Sequence, residues 1–250
     1  MKKIAFVTGA TSGIGEAIAR TLASDYALII CGRRIERLAH LADELSTKTD
    51  VYILSFDVSD ATAVNTAIAS LPAEWQDIQL LINNAGNAHG RAPIHEGDLA
   101  DWDAMIDSNL KGLLYVTRAI SPRMVENKSG DIINIGSIAG KEVYPDGNVY
   151  CASKFGVDAA TNGMRMDLNP YGIRVIGIHP GLVETEFSMV RFKGDEDKSE
   201  SVYKGITPLF AEDIAEIVKF AIGRPPHVTI ADMTIFPTAQ ASSTIVNRQS

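Results

Sequence analysis

Short apolar runs alternate with longer helical segments along the chain. The runs are continuous, as is typical of strands buried on both faces of a sheet. They lie at Ile4–Val7, Ala27–Cys31, Val51–Phe56, Ile78–Ile82, Asp131–Gly136, Ile173–Ile178 and Val228–Phe236. Helical periodicity covers Gly15–Ser24, Arg34–Leu45, Asp60–Leu71, Leu99–Glu126, Val149–Leu168 and Ala211–Gly223. This alternation predicts an α/β fold with a doubly wound, mostly parallel seven-stranded sheet and helices on both faces.

One stretch interrupts the alternation. Between Pro180 and Pro208 the periodicity is weak and charged residues are frequent. Loops of this length are uncommon in compact domains unless they work as lids. Because the stretch follows the carboxyl end of a strand, where such sheets bind ligands, we expect a substrate lid with short helices at residues 181–210. A surface excursion without a role is the alternative.

Composition narrows the class of protein. Hydrophobic residues make up 46% of the sequence, enough for a sizeable core. The formal net charge of −8, without a Lys/Arg-rich block, argues against nucleic acid or an anionic membrane as a partner. The chain shows no linker, low-complexity tract or repeat, so residues 1–250 are interpreted as a single domain.

Cysteine usage and hydropathy bear on the compartment. Cys31 and Cys151 are too few for a disulfide framework, are interpreted as core residues and fit a reducing environment. The apolar run at the N-terminus stops at Thr8–Gly9, too early for the core of a signal peptide. No apolar stretch approaches membrane-spanning length. These features predict a cytoplasmic protein.

A glycine-rich loop connects the first predicted strand to the first predicted helix. Glycines permit the tight turn and let the backbone approach a pyrophosphate closely, while the helix N-terminus supplies free N–H groups. The spacing is G-x-x-x-G-x-G, and such a loop alone is often only a turn. Its position after a strand predicts a Rossmann-type dinucleotide site. The candidate contacts are Gly9, Thr11, Ser12, Gly13, Ile14 and Gly15.

The end of the second predicted strand indicates which dinucleotide binds. An acidic residue there would accept hydrogen bonds from a ribose 2′-hydroxyl, but the chain has Arg33 and Arg34 instead. Two guanidinium groups suit a 2′-phosphate. A basic helix start on the surface is the alternative, although the helix dipole disfavours it. We therefore predict NADP rather than NAD.

Two further strand ends carry candidate cofactor contacts. Asp57 could accept a hydrogen bond from the adenine amino group, with Val58 beside the ring. Asn84, in a turn of small residues, could bond the ribose. Taken alone, each of these positions also fits an ordinary cap or turn.

Tyr150 and Lys154 are four residues apart and therefore share one face of a predicted helix. A close ammonium group favours the phenolate, so we expect it to lower the tyrosine pKa and to make the hydroxyl an acid or base. Ser137 ends the fifth predicted strand, which places it near Tyr150 at the carboxyl edge of the sheet. There its hydroxyl can position a substrate oxygen.

Together these motifs resemble the short-chain dehydrogenase/reductase family. The matching elements are Thr8-Gly9-x3-Gly13-Ile14-Gly15, Asn83-Asn84-Ala85-Gly86, Asn109, Ser137, Tyr150-x3-Lys154 and Pro180-Gly181. The resemblance implies that Tyr150 is the acid/base, that Ser137 binds the substrate oxygen and that Lys154 also binds the nicotinamide ribose. It further implies that Asn109 holds a water linking the lysine to solvent. Contacts with the nicotinamide are implied for Pro180, Gly181, Val183 and Thr185.

Three segments narrow the resemblance to a branch of NADP-dependent 3-hydroxy acid dehydrogenases. They are Gly32–Leu38, Leu71–Trp75 and Val190–Asp195. The branch implies serine, allo-threonine, 3-hydroxypropionate and malonic semialdehyde as substrates. It also implies a homotetramer, in which the predicted helices at Leu99–Glu126 and Val149–Leu168 would pair across two-fold axes. Arg191 is the candidate anchor for the substrate carboxylate, because guanidinium matches carboxylate geometry; a solvated arginine is the alternative.

Other functions remain as alternatives. A carbonyl or 3-oxoacyl-thioester reductase would use the same scaffold. A regulator that senses NADP without turnover belongs to another class, but it would not need Asn109, Ser137, Tyr150 and Lys154 together. The five histidines show no metal-ligand spacing, which argues against a zinc dehydrogenase and predicts no metal site.

Overall fold

The computed structural model of the chain describes residues 2–249. Within that range seven strands form one sheet, in the order β3-β2-β1-β4-β5-β6-β7. Every neighbouring pair is parallel. The strands are β1 (Lys3–Val7), β2 (Tyr26–Gly32), β3 (Val51–Ser55), β4 (Ile78–Asn83), β5 (Gly130–Ile135), β6 (Ile173–Pro180) and β7 (Asp232–Ile235). This arrangement confirms the predicted Rossmann-type doubly wound fold.

Helices follow the strands in the predicted order. They are α1 (Gly13–Leu22), α2 (Ile35–Ser46), α3 (Ala61–Ala69), α4 (Leu99–Ile106), α5 (Gly112–Asn127), α6 (Asn148–Leu168), α7 (Phe187–Arg191), α8 (Glu196–Ser201) and α9 (Ala211–Ile222). Of the helices within residues 2–249, none combines the length and the apolar character that crossing a membrane requires.

Both faces of the sheet are covered. Along β1, Ala5 and Val7 pack into one cluster with α1, α2 and α9. Ile4 and Phe6 pack into a second cluster with α3 and α5 on the opposite face. Successive residues of a strand point to opposite faces, so continuous apolar runs are what a doubly covered sheet requires.

The predicted helix at Leu99–Glu126 is interrupted. Residues Asp107–Lys111 form a π-helical turn between α4 and α5. Such a turn inserts one residue into the helix and is frequent at functional sites. Here it lets Asn109 reach inward, where its side chain is almost completely buried.

The last predicted strand, Val228–Phe236, is too long. Only Asp232–Ile235 pairs with β6. The backbone N–H of Val228 donates to Pro225, and its carbonyl accepts from the Arg174 guanidinium at 3.1 Å. Because these contacts take the backbone groups that a ladder would use, the strand begins later.

Candidate active site

A continuous cleft of about 1050 Å³ follows the carboxyl edge of the sheet. It is bounded by the glycine-rich loop, by the ends of β4 to β6, and by residues of the 181–210 segment. All predicted site residues line it except Gly15 and Asn109, which lie behind its surface. Ligands in open α/β sheets bind at this edge, beside the switch point between β1 and β4.

The glycine-rich loop fits the phosphates of a dinucleotide. Gly9 and Gly13 adopt φ values of +66° and +54°, which other residues rarely do. A Cβ on Gly15 would lie 2.3 Å from the Gly9 carbonyl oxygen, so only glycine allows the turn to close. Within the described part of the chain, Ser12 makes no side-chain cap at the start of α1. The first-turn N–H groups and the helix dipole therefore favour an anion here.

Asn84 braces this loop. Its amide nitrogen donates to the carbonyl oxygens of Thr8 at 3.0 Å and Gly9 at 3.3 Å. Sequence reasoning interpreted Asn84 as a ribose contact. The structure instead commits its amide nitrogen to the backbone of the loop.

The two predicted 2′-phosphate residues behave differently. The Arg33 side chain is 75% exposed and, among residues 2–249, pairs only with the Asp57 carboxylate, at 3.3 Å. Arg34 donates instead to the hydroxyls of Thr11 and Ser12, at 3.0 and 2.7 Å, and to the Glu186 carboxylate at 2.9 Å. Arg33 is thus free to meet a phosphate, whereas Arg34 is already occupied.

Asp57 and Val58 lie at the adenosine end of the cleft. Burial would raise the pKa of Asp57, but hydrogen bonds from Ser59 and the charge of Arg33 lower that pKa below its usual value. The side chain therefore carries a negative charge. One of its oxygens accepts from the Ser59 backbone N–H at 2.9 Å, as in an ordinary turn. Val58 is mostly buried beside Gly112.

Ser137, Tyr150 and Lys154 meet on the inner wall of the cleft. Ser137 lies two residues after β5, and its hydroxyl accepts from the backbone N–H of Ala139 at 3.1 Å. Tyr150 and Lys154 share the cleft-facing side of α6, and each residue is only 7% exposed. The Lys154 ammonium donates to the Ile135 carbonyl at 3.0 Å, which fixes α6 against β5.

The expectation that Lys154 lowers the pKa of Tyr150 is wrong for this structure. Burial raises the pKa of Tyr150 well above its usual value. The Ser137 hydroxyl and the Arg191 guanidinium act in the opposite direction, but Lys154 is not among the principal influences. Burial also lowers the pKa of Lys154 to about 8. The i,i+4 spacing puts both groups on one face, but desolvation dominates each pKa.

Asn109 is a brace rather than an exposed water ligand. Its amide nitrogen donates to the Asn87 carbonyl at 2.8 Å and to the Ser153 hydroxyl at 3.0 Å. Its side-chain oxygen accepts from the Asn87 backbone N–H at 2.7 Å. The π-helical turn is thereby joined to α6. The family resemblance implies a water at Asn109. Because both polar groups of the side chain are engaged, that water would have to bind the Asn109 backbone.

Arg191 enters the cleft from the end of α7. Its guanidinium carbon lies 5.4 Å from the ring centroids of both Tyr144 and Tyr150, and 5.9 Å from that of Phe187. One terminal nitrogen donates to the Tyr144 hydroxyl at 2.5 Å. The Arg191 Nε is buried without a hydrogen-bond partner among residues 2–249. The Arg191 guanidinium, which lines the cleft beside Tyr150, suits an anionic substrate group.

The 181–210 segment folds back on itself around its two short helices. The Tyr203 hydroxyl contacts the Ser188 hydroxyl at 2.8 Å and donates to the Val183 carbonyl at 2.9 Å. The Thr185 hydroxyl accepts from the backbone N–H of Phe187 at 3.2 Å. Pro180 ends β6, and Gly181 begins the turn into the cleft.

Sequence reasoning missed two parts of the cleft wall. Tyr144 lies between Arg91 and Arg191, with the Arg91 guanidinium 5.8 Å from its ring. The C-terminal tail supplies the other part. Its cleft-lining residues are Gln240, Ser243, Thr244, Val246 and Arg248. Tyr144 lies in the turn before α6, so its position close to Tyr150 in the sequence could have identified it. The tail has no periodicity that would identify its residues.

A charged cluster lies behind Ser137. Asp158, His179 and Asp232 bring together groups that can hold a metal ion. The Lys141 ammonium lies 2.7 Å from Asp158 and 2.6 Å from Asp232, so it already supplies a positive charge there. The cluster joins α6, β6 and β7 beneath the cleft, and it fits a structural role better than a metal site.

Comparison with known proteins agrees with this geometry. The family model for short chain dehydrogenases matches residues 3–196. The chain is 46% identical over 249 residues to the NADP-dependent 3-hydroxy acid dehydrogenase YdfG of Escherichia coli K12, covering 98% of this chain and 100% of that protein. It is 44% identical over 245 residues to sulfoacetaldehyde reductase 2 of Chromohalobacter salexigens, covering 97% of both.

Solved structures give the same result. The closed form of a serine dehydrogenase complexed with NADP+ superposes with a TM-score of 0.93 and 46% identity, covering 98% of this chain and 100% of that one. The serine dehydrogenase of Escherichia coli gives a TM-score of 0.83 and 42% identity, covering 95% and 99%. The chain therefore belongs to the short-chain dehydrogenase family.

Proposed function

We propose that this protein is an NADP-dependent oxidoreductase acting on CH–OH groups, and that its substrates are 3-hydroxy acids. We infer the substrate class from the position of Arg191. Its guanidinium lies against the Tyr150 ring, inside the cleft, with a buried and unpartnered Nε within the described residues. The carboxylate of a 3-hydroxy acid is two bonds from the carbon that reacts. One molecule can therefore reach both side chains.

The cleft suits NADP as the cofactor. The glycine-rich loop and the start of α1 would hold the pyrophosphate, and Arg33 would hold the 2′-phosphate. Asp57 and Val58 would flank the adenine, and residues Pro180–Thr185 would line the nicotinamide. When bound, NADP accepts a hydride from the substrate or supplies one to it.

Tyr150 is the proposed acid and base. Because burial raises its pKa, the phenol keeps its proton at neutral pH and is ready to donate it to a carbonyl oxygen during reduction. Oxidation of an alcohol requires the reverse transfer. Ser137, whose hydroxyl lines the same wall, would hold the substrate oxygen in place. Lys154, with a pKa near 8, would complete the site beside the ribose.

A second candidate substrate class is favoured by one relative. The chain is 44% identical to a sulfoacetaldehyde reductase along nearly its whole length. A sulfonate can take the same hydrogen bonds from Arg191 as a carboxylate. Reduction of a short aldehyde that carries a sulfonate is therefore the alternative activity of this site.

Initial rates on a substrate panel test the proposal. The panel comprises serine, allo-threonine, 3-hydroxypropionate, 2-hydroxyethanesulfonate and 1-propanol with NADP or NAD, together with malonic semialdehyde and a 3-oxoacyl thioester with NADPH. We expect the highest kcat/KM for a 3-hydroxy acid with NADP. Preference for 1-propanol or the thioester would contradict the acid assignment. Preference for the sulfonate would select the second candidate.

We further propose that the protein is a cytoplasmic homotetramer whose single domain carries a lid at residues 181–210. Leu114 on α5 and Phe155 and Met166 on α6 are exposed, Met166 by 77%. Burial between subunits would stabilise such apolar side chains. Light scattering on the purified protein measures its mass, and a monomer at micromolar concentration would contradict the assembly. Cell fractionation tests the compartment.

A further inference from the structure

Two arginines at the start of α2 reach across the mouth of the cleft to one carboxylate. An Arg34 nitrogen lies 2.9 Å from one oxygen of Glu186, and an Arg37 nitrogen lies 2.6 Å from the other. Glu186 belongs to the 181–210 segment, about 150 residues further along the chain. We call Arg34, Arg37 and Glu186 the clasp.

The clasp also holds the glycine-rich loop. Arg34 donates to the hydroxyls of Thr11 and Ser12, at 3.0 and 2.7 Å, and Arg37 donates to the Thr11 carbonyl at 3.4 Å. Three walls of the cleft are therefore tied together at one point: the loop, the start of α2 and the 181–210 segment.

Glu186 is charged in this arrangement. Burial would raise its pKa, but hydrogen bonds and charge from Arg34 and Arg37 lower that pKa below its usual value. Each carboxylate oxygen has a separate guanidinium partner. A single carboxylate thus pairs with two arginines that would otherwise repel each other.

Each of the three guanidinium nitrogens of Arg34 has a hydrogen-bond partner, whereas Arg33 uses one nitrogen within the described residues. The Arg34 Nε donates to the Thr11 hydroxyl at 3.2 Å, Nη1 contacts Glu186, and Nη2 donates to Thr11 and Ser12. Bidentate binding of a 2′-phosphate through Arg34 would require breaking some of these bonds. Within the part of the chain that the structure describes, Arg33 would give up one contact, with Asp57 at 3.3 Å.

We propose that Glu186 is a positioning residue that closes the cleft over the cofactor through Arg34 and Arg37, and so controls how fast NADP leaves. In the same arrangement, Arg33 rather than Arg34 distinguishes NADP from NAD. This inference rests on the proposed function, since it takes NADP as the ligand of the cleft. Exposed ion pairs are individually weak and are screened by salt, so the clasp can open without unfolding the sheet.

The rate of NADPH dissociation, followed by stopped-flow fluorescence, tests the clasp. Glu186→Gln removes the charge and one of the two acceptors, and we expect dissociation to be about fivefold faster. Added salt should accelerate release from the wild type more than from the variant. Glu184→Gln is the matched control, because Glu184 is also exposed and does not line the cleft. Equal rates in wild type and Glu186→Gln would overturn the proposal.

Limited trypsin digestion without cofactor gives a second readout. Lys193 and Lys198 are already exposed, so trypsin cleavage after them depends on how easily the backbone of the 181–210 segment loosens. Glu186→Gln and Arg37→Gln should therefore be cut faster than Glu184→Gln. Equal cleavage of all three would contradict closure by the ion pairs. Wild-type protein that binds no NADPH would overturn the proposed function instead, whereas digestion would still report on the clasp.

Two arginine variants test the division of roles. Arg33→Ala should weaken binding of NADPH but not of NADH, because only NADPH carries the phosphate. Arg34→Ala should speed the release of both cofactors to a similar extent, because it opens the clasp. A selective loss of NADPH affinity in Arg34→Ala, with none in Arg33→Ala, would overturn this assignment.

Discussion

The inner and outer walls of the cleft are stabilised by different forces. The inner wall carries Ser137 just after β5 and the almost completely buried Tyr150 and Lys154 on α6, and it is braced by Asn109. The outer wall, residues 181–210, is attached in part by ion pairs whose side chains are more than 40% exposed. Packed interiors allow little movement, whereas exposed ion pairs break easily. We therefore expect proton transfer to depend on the buried wall, and access and substrate choice to depend on the exposed one.

Tyr150→Phe gives the largest expected effect, because it removes the proton donor from the inner wall. We expect kcat to fall by about 10³-fold, the range typical of a general acid or base. The ring still packs against Phe187, so NADPH affinity should stay near the wild-type value. Retention of more than a tenth of wild-type kcat would remove Tyr150 from the acid/base role.

Lys154→Met tests the burial of the inner wall through the pH dependence of protein stability. The folded pKa of Lys154, about 8, lies below its ordinary value of 10.5. Between these values the unfolded state holds more protons, so burial of Lys154 makes the wild type gain stability as pH rises. Relative to Lys154→Met, this gain should reach roughly 3 kcal/mol by pH 10.5. Denaturant unfolding from pH 7 to pH 10.5 measures it, and parallel curves for both proteins would contradict the buried charge.

Arg191→Met tests the outer wall's part in substrate choice. Losing a charge-assisted hydrogen bond should raise KM for 3-hydroxy acids by about 30-fold. KM for 1-propanol should stay the same, since that alcohol has no anionic group. Lys193→Met is the control, because Lys193 pairs with Asp101 and does not line the cleft. Equal changes for acid and alcohol would exclude the anchor role.

Arg248→Ala gives the smallest expected effect and tests the C-terminal tail. The Arg248 guanidinium donates to the carbonyls of Val202 and Lys204, which attaches the tail to the 181–210 segment. Loss of these exposed bonds should raise KM by about threefold with little change in kcat. Arg224→Ala, which removes a cation–π contact with Phe220 away from the cleft, serves as the control. Unchanged KM in Arg248→Ala would show that the tail is dispensable.

The inner wall was largely predictable from sequence, because contiguous motifs follow the ends of apolar strands. Gly9, Ser137 and Tyr150 come to the same edge once the sheet is parallel. The raised pKa of Tyr150 was not predictable, since the i,i+4 spacing reveals a neighbour but not the depth of burial. The π-helical turn at Asn109 was missed because a single wide turn inside a long helical segment has no residue signature of its own.

The outer wall was less predictable for a different reason. The contacts between Arg34 and Glu186 join segments far apart in the chain, and exposed charges carry no periodicity. The C-terminal tail meets Val202 and Lys204 through backbone carbonyls, which any residue has. The sequence therefore identified the two arginines after β2, and both were predicted to bind the 2′-phosphate. In the structure they have different partners, Asp57 for Arg33 and Glu186 for Arg34.

The activity assigned to the cleft is the transfer of a hydride and a proton between NADP and a 3-hydroxy acid. The most direct test is to measure NADPH binding and 3-hydroxypropionate oxidation on the same wild-type preparation. We predict tight NADPH binding together with saturable turnover that requires NADP. Protein that binds NADPH tightly but turns over no 3-hydroxy acid, sulfonate or neutral alcohol would contradict the claim and favour a cofactor sensor.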